Sequence, residues 1–216
     1  NLFNQQYSQK QRKLQKAYRS KYASNLAHYE SKPKPICNYD GFNDLIMYAK
    51  CYKGKFKDLI SCIADECGKQ GIKIKDNSGA KEKDIERAFY KAFYIYSFER
   101  DDGHKQLTDL LRCSLVFTEF EDLYKCFAVV KDLAKQKCKG GIIRCKDRFD
   151  PQNMPFGYRD LLINVNCPGS DQKGRPIVCE IQLHHKIFYE HKKISHGMYK
   201  QARLFDLKGH NIAYEY

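Results

Sequence analysis

Two acidic residues lie next to or within apolar runs of this sequence that predict β-strands. Asp109 comes just before the run RCSLVF, and Glu180 lies within the run VCEIQL. Magnesium is usually held by one or two carboxylates, with substrate phosphates and water completing its octahedron. The two acids would suit such a site if their strands are neighbours in a sheet. The alternative is structural, with Asp109 in a turn and Glu180 paired with a nearby cation.

Basic residues recur at a spacing that could place them together to bind a polyanion. Lys83, Arg87 and Lys91 follow one another at intervals of four residues, which places them on one face of a helix. Like charges at that spacing cost a helix about a few tenths of a kcal/mol per pair, and an anionic ligand would offset that cost. The alternative is a solvated helix face that is partly balanced by Asp84 and Glu86.

Further cations belong to two of the predicted strands. Arg112 begins the run RCSLVF, and Arg144, Lys146 and Arg148 alternate along the run IIRCKDRF. Alternate residues share one face of a strand, so these cations could form a mixed-charge sheet face together with Glu180. A face with carboxylates and many cations suits a metal-bound triphosphate.

The elements that must position these groups lie mainly between Gly157 and His185. Two apolar runs flank a polar, Gly/Pro-rich break from Cys167 to Pro176, which predicts two antiparallel strands joined by a loop. Alternation would give this hairpin one apolar face and one carboxylate and amide face. The polar face would carry Asp160, Asn164, Asn166, Glu180 and Gln182. An ordinary half-solvated sheet is the alternative.

The remaining pattern predicts a mixed α/β domain with a central sheet and helices on at least one face. Apolar residues at helical spacing occupy the segments 42–67, 83–98, 120–134 and 187–202. Thr118 and Glu121 have the spacing of a capping box before the third of these helices. Residues 1–31 predict a basic helix on the surface or against a partner, and SKPKPIC predicts a linker because its prolines stop a helix.

Composition excludes some classes of protein and leaves others open. The formal charge of +13 favours polyanionic partners, whether nucleotides, RNA or an anionic membrane surface, and it does not choose among them. No apolar run approaches the roughly 20 residues that span a bilayer, and we expect nucleotide partners rather than a membrane. The sequence contains no GxxxxGK[ST], GxGxxG or GxSxG motif, and it lacks the His-Asp dipeptide of metal-dependent phosphohydrolases.

The ten cysteines are spread singly, without CxxC or zinc-finger spacing. Cys113, Cys145 and Cys179 fall on the apolar faces of predicted strands, where a thiol behaves as a small hydrophobic group. We interpret the cysteines as reduced core residues in a cytoplasmic protein. A disulfide framework is the alternative.

Several motifs, in order, resemble those of the synthetase domain of the RelA/SpoT family, the alarmone synthetases. They are AKEKDIERAFYK, LTDLLRCSLVF, CKDRF followed by GYRDLLINV, CEIQLHH and SHGMYKQAR, and they cover about residues 42–205. The combination of a basic helix, DLxR and GYRD resembles a divergent branch of toxin-like and eukaryotic members. The resemblance implies a nucleotidyltransferase-like mixed sheet flanked by helices, in a domain over 37–216. A basic helical extension and linker over 1–36 would precede it.

The resemblance also implies the residues that bind ATP and the metal. The phosphates of ATP would be bound by Lys83, Arg87, Lys91 and Arg112. Asp109 and Glu180 would hold Mg²⁺ and act as the catalytic pair. Glu180 would in addition accept the proton of the attacking hydroxyl.

The residues implied for the acceptor follow from the later motifs. The Tyr158 ring would stack on the acceptor base. The other acceptor contacts would be Lys146, Arg148, Gln182 and Asn164. A supporting role on the last helix is implied for His196, Tyr199 and Lys200.

The implied function is Mg²⁺-dependent transfer of pyrophosphate from ATP to the 3′-hydroxyl of a nucleotide acceptor. A guanosine nucleotide, giving (p)ppGpp, is the favoured acceptor, and an adenosine nucleotide or the tRNA 3′ end is the alternative. A catalytically inactive domain that binds nucleotide or RNA is the alternative from another class. The presence of both Asp109 and Glu180 favours an enzyme. The sequence leaves oligomerisation open.

Overall fold

The expected mixed α/β architecture is confirmed by the computed structural model, which describes residues 9–96, 102–149, 159–169 and 174–192. Six strands of the described residues form one sheet in the order β1-β3-β6-β5-β4, and β2 also pairs with β3. The strands are β1 (Asp76–Asn77), β2 (Lys81–Glu82), β3 (Leu111–Phe117), β4 (Ile142–Asp147), β5 (Leu161–Asn166) and β6 (Val178–His185). Only β3 and β6 run parallel, so the sheet is mixed.

The helices lie between and around the strands. They are α1 (Gln9–Lys21), α2 (Ala23–Glu30), α3 (Phe42–Lys69), α4 (Ile85–Tyr90), which continues as the π-helical turn Lys91–Tyr96, and α5 (Phe120–Lys137). A 3₁₀ turn spans Gly103–Gln106, and residues 186–192 are helical after β6. Within the described ranges, no helix has the length and apolar character needed to cross a bilayer.

Two helix details differ from the sequence-based expectation. The capping box is wrong, because α5 begins at Phe120 with Glu119 as its N-cap, and Thr118 lies one position too early to cap it. The predicted helix over 83–98 begins at Ile85, where the Asp84 carboxylate accepts a hydrogen bond from the Arg87 backbone. The segment then widens into the π-helical turn, and Phe89 on its apolar stripe remains 46% exposed.

The predicted hairpin is confirmed as the antiparallel pair β5 and β6. Ile163 lies opposite Ile181, and Asn164 lies opposite Glu180, so the apolar and polar faces are those that alternation predicted. Strand β3 then pairs with the other side of β6, which places Arg112 beside Glu180. The strand that follows Asp109 is therefore the direct neighbour of the strand that carries Glu180.

The apolar face of the sheet forms the core together with α3 and α5. Helix α5 contacts β3, β4 and β6, and it also packs against α3. The fully buried side chains of this layer include Phe56, Leu115, Phe127, Ile163 and Ile181. Each such side chain contributes about 1.5–3 kcal/mol when it leaves water. This packing covers one face of the sheet and leaves the other face to the polar groups.

The basic N-terminal segment packs against its own chain rather than forming one helix on the surface or against a partner. It divides into α1 and α2 at Tyr22, whose ring stacks on Tyr124 of α5 with centroids 5.8 Å apart. Leu26 is buried in the core, and Arg19 Nε lies 2.5 Å from the Asp147 carboxylate. The described part of this segment therefore contacts α5 through an aromatic ring and β4 through an ion pair. The division of the chain at residue 37 stays a prediction.

All ten cysteines are free thiols. Eight of them are buried, whereas Cys51 is exposed and Cys62 is partly exposed. Burial raises the pKa of Cys113 to about 12, and it raises the pKa of Cys145 and Cys179 well above the usual thiol value. These three strand cysteines are protonated packing groups, as the sequence predicted.

Candidate active site

A row of polar side chains crosses the sheet at the level of Glu180. In register from β3 to β4, the row contains Arg112, Glu180, Asn164 and Arg144. Alternation along each strand turns all of these side chains away from the core. The sheet pairing therefore assembles cations, a carboxylate and an amide that come from four separate segments of the chain.

Asp109 lies beside this row, two residues before β3 begins, and it is only 8% exposed. Its Oδ2 atom accepts hydrogen bonds from Lys83 Nζ at 2.5 Å and from Lys91 Nζ at 3.1 Å. Its Oδ1 atom is buried and has no hydrogen-bond partner among the described residues. Two of the three cations in the predicted run therefore contact the first predicted acid, and one oxygen of that acid remains open to a ligand.

The electrostatics of Asp109 favour its charged form. Burial by itself raises the pKa of the carboxyl group, but the ammonium groups of Lys91 and Lys83 outweigh burial and lower the pKa to about 2. Burial also acts on both lysines, and it lowers the pKa of Lys83. At Lys91 burial also acts to lower the pKa, but the combined effects of Asp109 and Tyr96 outweigh it, so the pKa of that ammonium group is raised. Asp109 and Lys91 are therefore both charged at neutral pH.

Glu180 is shifted in the opposite direction. Burial raises the pKa of its carboxyl group above the usual glutamate value, and the negative charge of Asp109 raises it further. Its Oε1 atom accepts a hydrogen bond from Gln182 Nε2 at 2.5 Å. A buried carboxylate with a raised pKa is suited to take up a proton, which is the property of a general base.

Gln182 connects Glu180 to several other polar groups. Its Oε1 atom accepts hydrogen bonds from Ser114 Oγ at 3.3 Å and from Lys192 Nζ at 3.2 Å. His184 Nε2 lies 3.1 Å from the same oxygen. These contacts fix the amide so that its nitrogen faces Glu180. The acceptor contact expected of Gln182 stays a prediction, whereas its hydrogen bond to Glu180 is a finding.

The predicted acceptor cations lie on and after β4. Arg148 makes a two-pronged ion pair with the buried carboxylate of Asp160, from Nε to Oδ1 at 2.5 Å and from Nη2 to Oδ2 at 2.7 Å. Lys146 is exposed, and its pKa is lowered by partial desolvation and by the neighbouring Arg144. Their proposed contacts with acceptor phosphates remain predictions.

Two buried nitrogen atoms in this row of polar side chains have no hydrogen-bond partner among the described residues. Asn164 Nδ2 and Arg144 Nε make no hydrogen bond within the part of the chain that the structure describes. The two residues face each other across β4 and β5, and Asn164 also faces Glu180. Unpaired buried donors cost free energy, so their position beside a carboxylate indicates a place for a ligand oxygen.

Some predicted residues do not join the cluster or cannot be placed. Arg87 is exposed on α4, outside the contacts that Lys83 and Lys91 make with Asp109. Four others lie outside the described residues, and they are Tyr158, His196, Tyr199 and Lys200.

The sequence patterns missed two lysines that the fold brings to the site. Lys192 reaches Gln182 from the helical residues 186–192. Lys34 comes from the linker after α2, and the charges of Lys91 and Asp109 act on it. Neither lysine belongs to a periodic run or to a recognised motif, so no local signal identified it.

The acidic pair can accommodate Mg²⁺ only with help from a substrate. In the described ranges, no group of three or more His, Cys, Asp or Glu side chains could hold a metal ion by itself. Asp109 Oδ1 offers an open oxygen, and the carboxylate of Glu180 is close enough for Asp109 to raise its pKa. Two carboxylates supplemented by substrate phosphates and water are the usual protein environment of Mg²⁺, so these residues fit it.

Comparison with solved structures identifies the fold. No protein-family model and no curated protein matches the chain. Small alarmone synthetase 2 from Bacillus subtilis matches with a TM-score of 0.57 and 16% identity, over 73% of this chain and 80% of that one. Small alarmone synthetase 1 from the same organism, bound to its product pppGpp, matches with a TM-score of 0.55 and 13% identity. That match covers 74% of this chain and 81% of the other.

A third solved structure matches over a similar share of both chains. A GTP pyrophosphokinase family protein from Streptococcus pneumoniae has a TM-score of 0.54 and 20% identity, over 75% of this chain and 76% of that chain. Such identities establish a common architecture and leave the chemistry to be argued from the residues. The chain has the fold of the alarmone synthetase domain that its sequence motifs resemble.

Proposed function

We propose that this chain is a Mg²⁺-dependent ATP:nucleotide 3′-pyrophosphokinase. In this reaction the 3′-oxygen of the acceptor attacks the β-phosphorus of ATP. The bond from that phosphorus to the oxygen bridging the α and β positions breaks, and AMP leaves. The β,γ-pyrophosphate is thereby attached to the acceptor, and the proton of the hydroxyl must be taken up by a base.

The observation that carries the proposal is the pair of buried carboxylates with opposite pKa shifts. The pKa of Asp109 is lowered to about 2 within a cluster of lysines, and the pKa of Glu180 is raised. The first group is held as a permanent anion, and the second is tuned toward proton transfer. Two titratable groups whose environments separate their pKa values are a usual sign of divided catalytic roles.

The donor phosphates would lie against Lys83 and Lys91. Each ammonium group has three donors, and each uses one of them on Asp109 Oδ2. The remaining donors can bind phosphate oxygens without breaking the contact with Asp109. Phosphoryl transfer depends almost entirely on positioning and charge stabilisation, which these fixed cations supply.

Asp109 and Glu180 would hold Mg²⁺ together with the phosphates. When bound, the ion would neutralise the charge that develops on the phosphate oxygens. Gln182 holds the Glu180 carboxylate from one side. Glu180 would accept the proton of the acceptor hydroxyl, and the unpaired Nδ2 of Asn164 would bind an acceptor oxygen beside it.

A guanosine nucleotide is the acceptor that we favour. The support is the similarity in fold to small alarmone synthetase 1, whose structure contains its product pppGpp. An adenosine nucleotide and the tRNA 3′ end are the alternatives, and the formal charge of +13 supports RNA. The chemistry at Asp109 and Glu180 is the same for each acceptor.

A label-transfer assay tests the reaction. ATP labelled in its γ-phosphate is incubated with the protein and Mg²⁺, in separate reactions with GDP, GTP, ADP, ATP and tRNA. We expect label in a guanosine product and an equal amount of AMP, and we expect neither when Mg²⁺ is chelated. Label on the adenosine nucleotide or on tRNA would move the proposal to that acceptor. Absence of transfer to all acceptors would refute it and favour an inactive binding domain.

A further inference from the structure

The linker between α2 and α3 contributes a lysine to the charged site. Lys34 Nζ donates a hydrogen bond to Gln106 Oε1 at 3.1 Å, and it lies 3.8 Å from the centroid of the Tyr96 ring. Lys91 Nζ lies 5.3 Å from the centroid of the same ring. Two ammonium groups from distant parts of the chain therefore share one aromatic side chain at the edge of the site.

The charges around Lys34 come from both halves of the site. Partial burial and the repulsion of Lys91 lower the pKa of Lys34 to about 8, and the negative charge of Asp109 opposes this shift. Lys146 and Arg144 of β4 repel Lys34 as well. The Lys34 ammonium group is thus close enough to Lys91, expected to bind the donor, and to Lys146, expected to bind the acceptor, to be repelled by both.

The linker holds this lysine in a restricted backbone conformation. Lys34 stands between Pro33 and Pro35, so the rings restrict both neighbours, and a residue before proline is confined to extended conformations. Three residues later the backbone N–H of Cys37 donates to the Lys105 carbonyl at 2.7 Å. A cation on a restricted segment loses less conformational freedom when a ligand binds.

The crowding of these cations favours a multiply charged anion. Lys91, Lys146 and Arg144 each repel the Lys34 ammonium group, and Asp109 is the carboxylate that attracts it. Holding like charges together in a partly desolvated site is unfavourable unless a ligand neutralises them. A chain of phosphates would bring several negative charges to one place and could neutralise these cations together.

We propose that Lys34 is a substrate-binding residue that contacts the phosphoryl groups passing from donor to acceptor. This inference rests on the proposed function for the identity of the substrate. It assigns the segment before residue 37 a direct part in the site. The linker completes the site as well as joining α2 to α3.

Binding of inorganic tripolyphosphate with Mg²⁺, measured by calorimetry on the full chain, tests Lys34 without requiring turnover. The variant is Lys34→Met, which keeps the apolar stem over Tyr96 and removes the charge. We expect its affinity to fall about tenfold or more, as for loss of a charged hydrogen bond. Lys34→Arg should stay within about threefold of the wild type, because it restores the charge.

Lys32→Met is the matched control, since it removes the same charge from the same linker. Lys32 Nζ contacts the Ile142 carbonyl at 3.4 Å and lies 4.8 Å from the centroid of the Tyr29 ring. We expect its affinity for tripolyphosphate to stay within about twofold of the wild type, because Lys32 is half-buried against the Ile142 carbonyl and the Tyr29 ring and is not among the charges that act on Lys34. Thermal unfolding of each variant without ligand separates a structural effect from a loss of binding.

The outcomes distinguish this inference from the proposed function. Equal affinity in Lys34→Met and Lys32→Met would overturn the role of Lys34, even if the wild type transfers label. A selective loss in Lys34→Met with rescue by Lys34→Arg would support the role, even if no acceptor is labelled. Failure of the wild type to bind tripolyphosphate would overturn it outright.

Discussion

One buried carboxylate, Asp109, lies just before β3 and another, Glu180, lies near the start of β6, and both are 8% exposed. Burial raises the pKa of both groups, yet the pKa of Asp109 ends low and that of Glu180 ends high. The difference comes from their nearest neighbours. Asp109 contacts two ammonium groups, whereas Glu180 is hydrogen-bonded by the neutral amide of Gln182. Two equally buried carboxyl groups can therefore differ in pKa, so that one stays charged and the other can take up a proton.

The largest expected effect is on catalysis at the Glu180 position. Glu180→Gln keeps the shape of the side chain and removes its capacity to accept a proton. We expect the rate of label transfer to fall about 10³-fold, which is typical for loss of a general base. Steady-state transfer to the best acceptor measures the effect.

Glu190→Gln is the control for that experiment, because Glu190 is an exposed acid 3.8 Å from Lys186 on the helical residues 186–192. Its transfer rate should equal that of the wild type. A Glu180→Gln protein that turns over normally would remove Glu180 from the mechanism and end the comparison of the two acids.

The next effect is on stability at the Asp109 position. Asp109→Asn leaves the buried Lys83 and the half-buried Lys91 without their counter-ion. We expect the free energy of unfolding to fall by about 3 kcal/mol, because removing one partner of a buried ion pair leaves a charge uncompensated. Denaturant titration at neutral pH measures the difference.

Asp102→Asn is the matched control, since Asp102 forms an exposed pair with Lys105 at 3.4 Å. That substitution should change the free energy of unfolding by less than about 1 kcal/mol. Glu180→Gln should leave stability unchanged or raise it, because it removes a buried charge that is costly to ionise. Equal losses in Asp109→Asn and Glu180→Gln would contradict the contrast between the two regions.

The two acids should affect the pH dependence of stability in opposite directions: the contribution of Asp109 is lost at low pH, and that of Glu180 declines as the pH rises. The pKa of Asp109 is about 2 in the folded protein, and an unfolded aspartate titrates near about 3.9. The unfolded chain therefore binds more protons between these values. Stability of about 2 kcal/mol, present above the unfolded pKa, is lost as the pH falls toward the folded pKa.

The pKa of Glu180 is raised in the folded state, so the native protein holds more protons there than the unfolded chain does. Its contribution to stability declines as the pH rises above the unfolded glutamate value of about 4.3. Denaturant titrations from pH 2.5 to 7 should show the acid-side loss diminished in Asp109→Asn and the higher-pH decline absent in Glu180→Gln. Curves that run parallel for all three proteins would refute both assignments.

The smallest expected effect concerns the ion pair of Arg148 with Asp160. Arg148→Lys keeps the charge but loses the planar fork that matches a carboxylate. We expect the free energy of unfolding to fall by about 1.5 kcal/mol, the value of one charged hydrogen bond. Arg87→Lys on the exposed face of α4 is the control and should not alter stability measurably. An unchanged Arg148→Lys protein would show that the bidentate geometry is unimportant.

The sequence predicted those parts of the fold that local patterns encode. Alternation gave the faces of β5 and β6, and the separation of Ile181 from Glu180 across the strand follows from a period of two. The site was predicted only conditionally, because Asp109 and Glu180 are useful together only if β3 and β6 pair. That pairing joins residues far apart in the chain, and it depends on how the helices pack around the sheet.

Other parts carried no local signal. Lys34 and Lys192 reach the site from a linker and from the residues after β6, and neither shows a spacing that indicates a ligand. The capping box failed because Thr118 and Glu121 have the right spacing at the wrong position relative to the first helical residue. Spacing alone cannot determine where a helix begins, because the first helical residue also depends on where the preceding strand ends; here β3 ends at Phe117 and α5 begins at Phe120.

The contact between α2 and β4 has a consequence for the behaviour of the protein in solution. Strand β4 forms one edge of the described sheet, opposite the edge at β1, and α2 packs against it. The Glu30 carboxylate accepts the backbone N–H of Asp147 at 2.7 Å, and Lys32 donates to the Ile142 carbonyl. An uncovered edge strand can pair with a strand of another molecule. The N-terminal helices therefore protect the sheet against aggregation, and a shortened chain that begins at α3 would lose that protection.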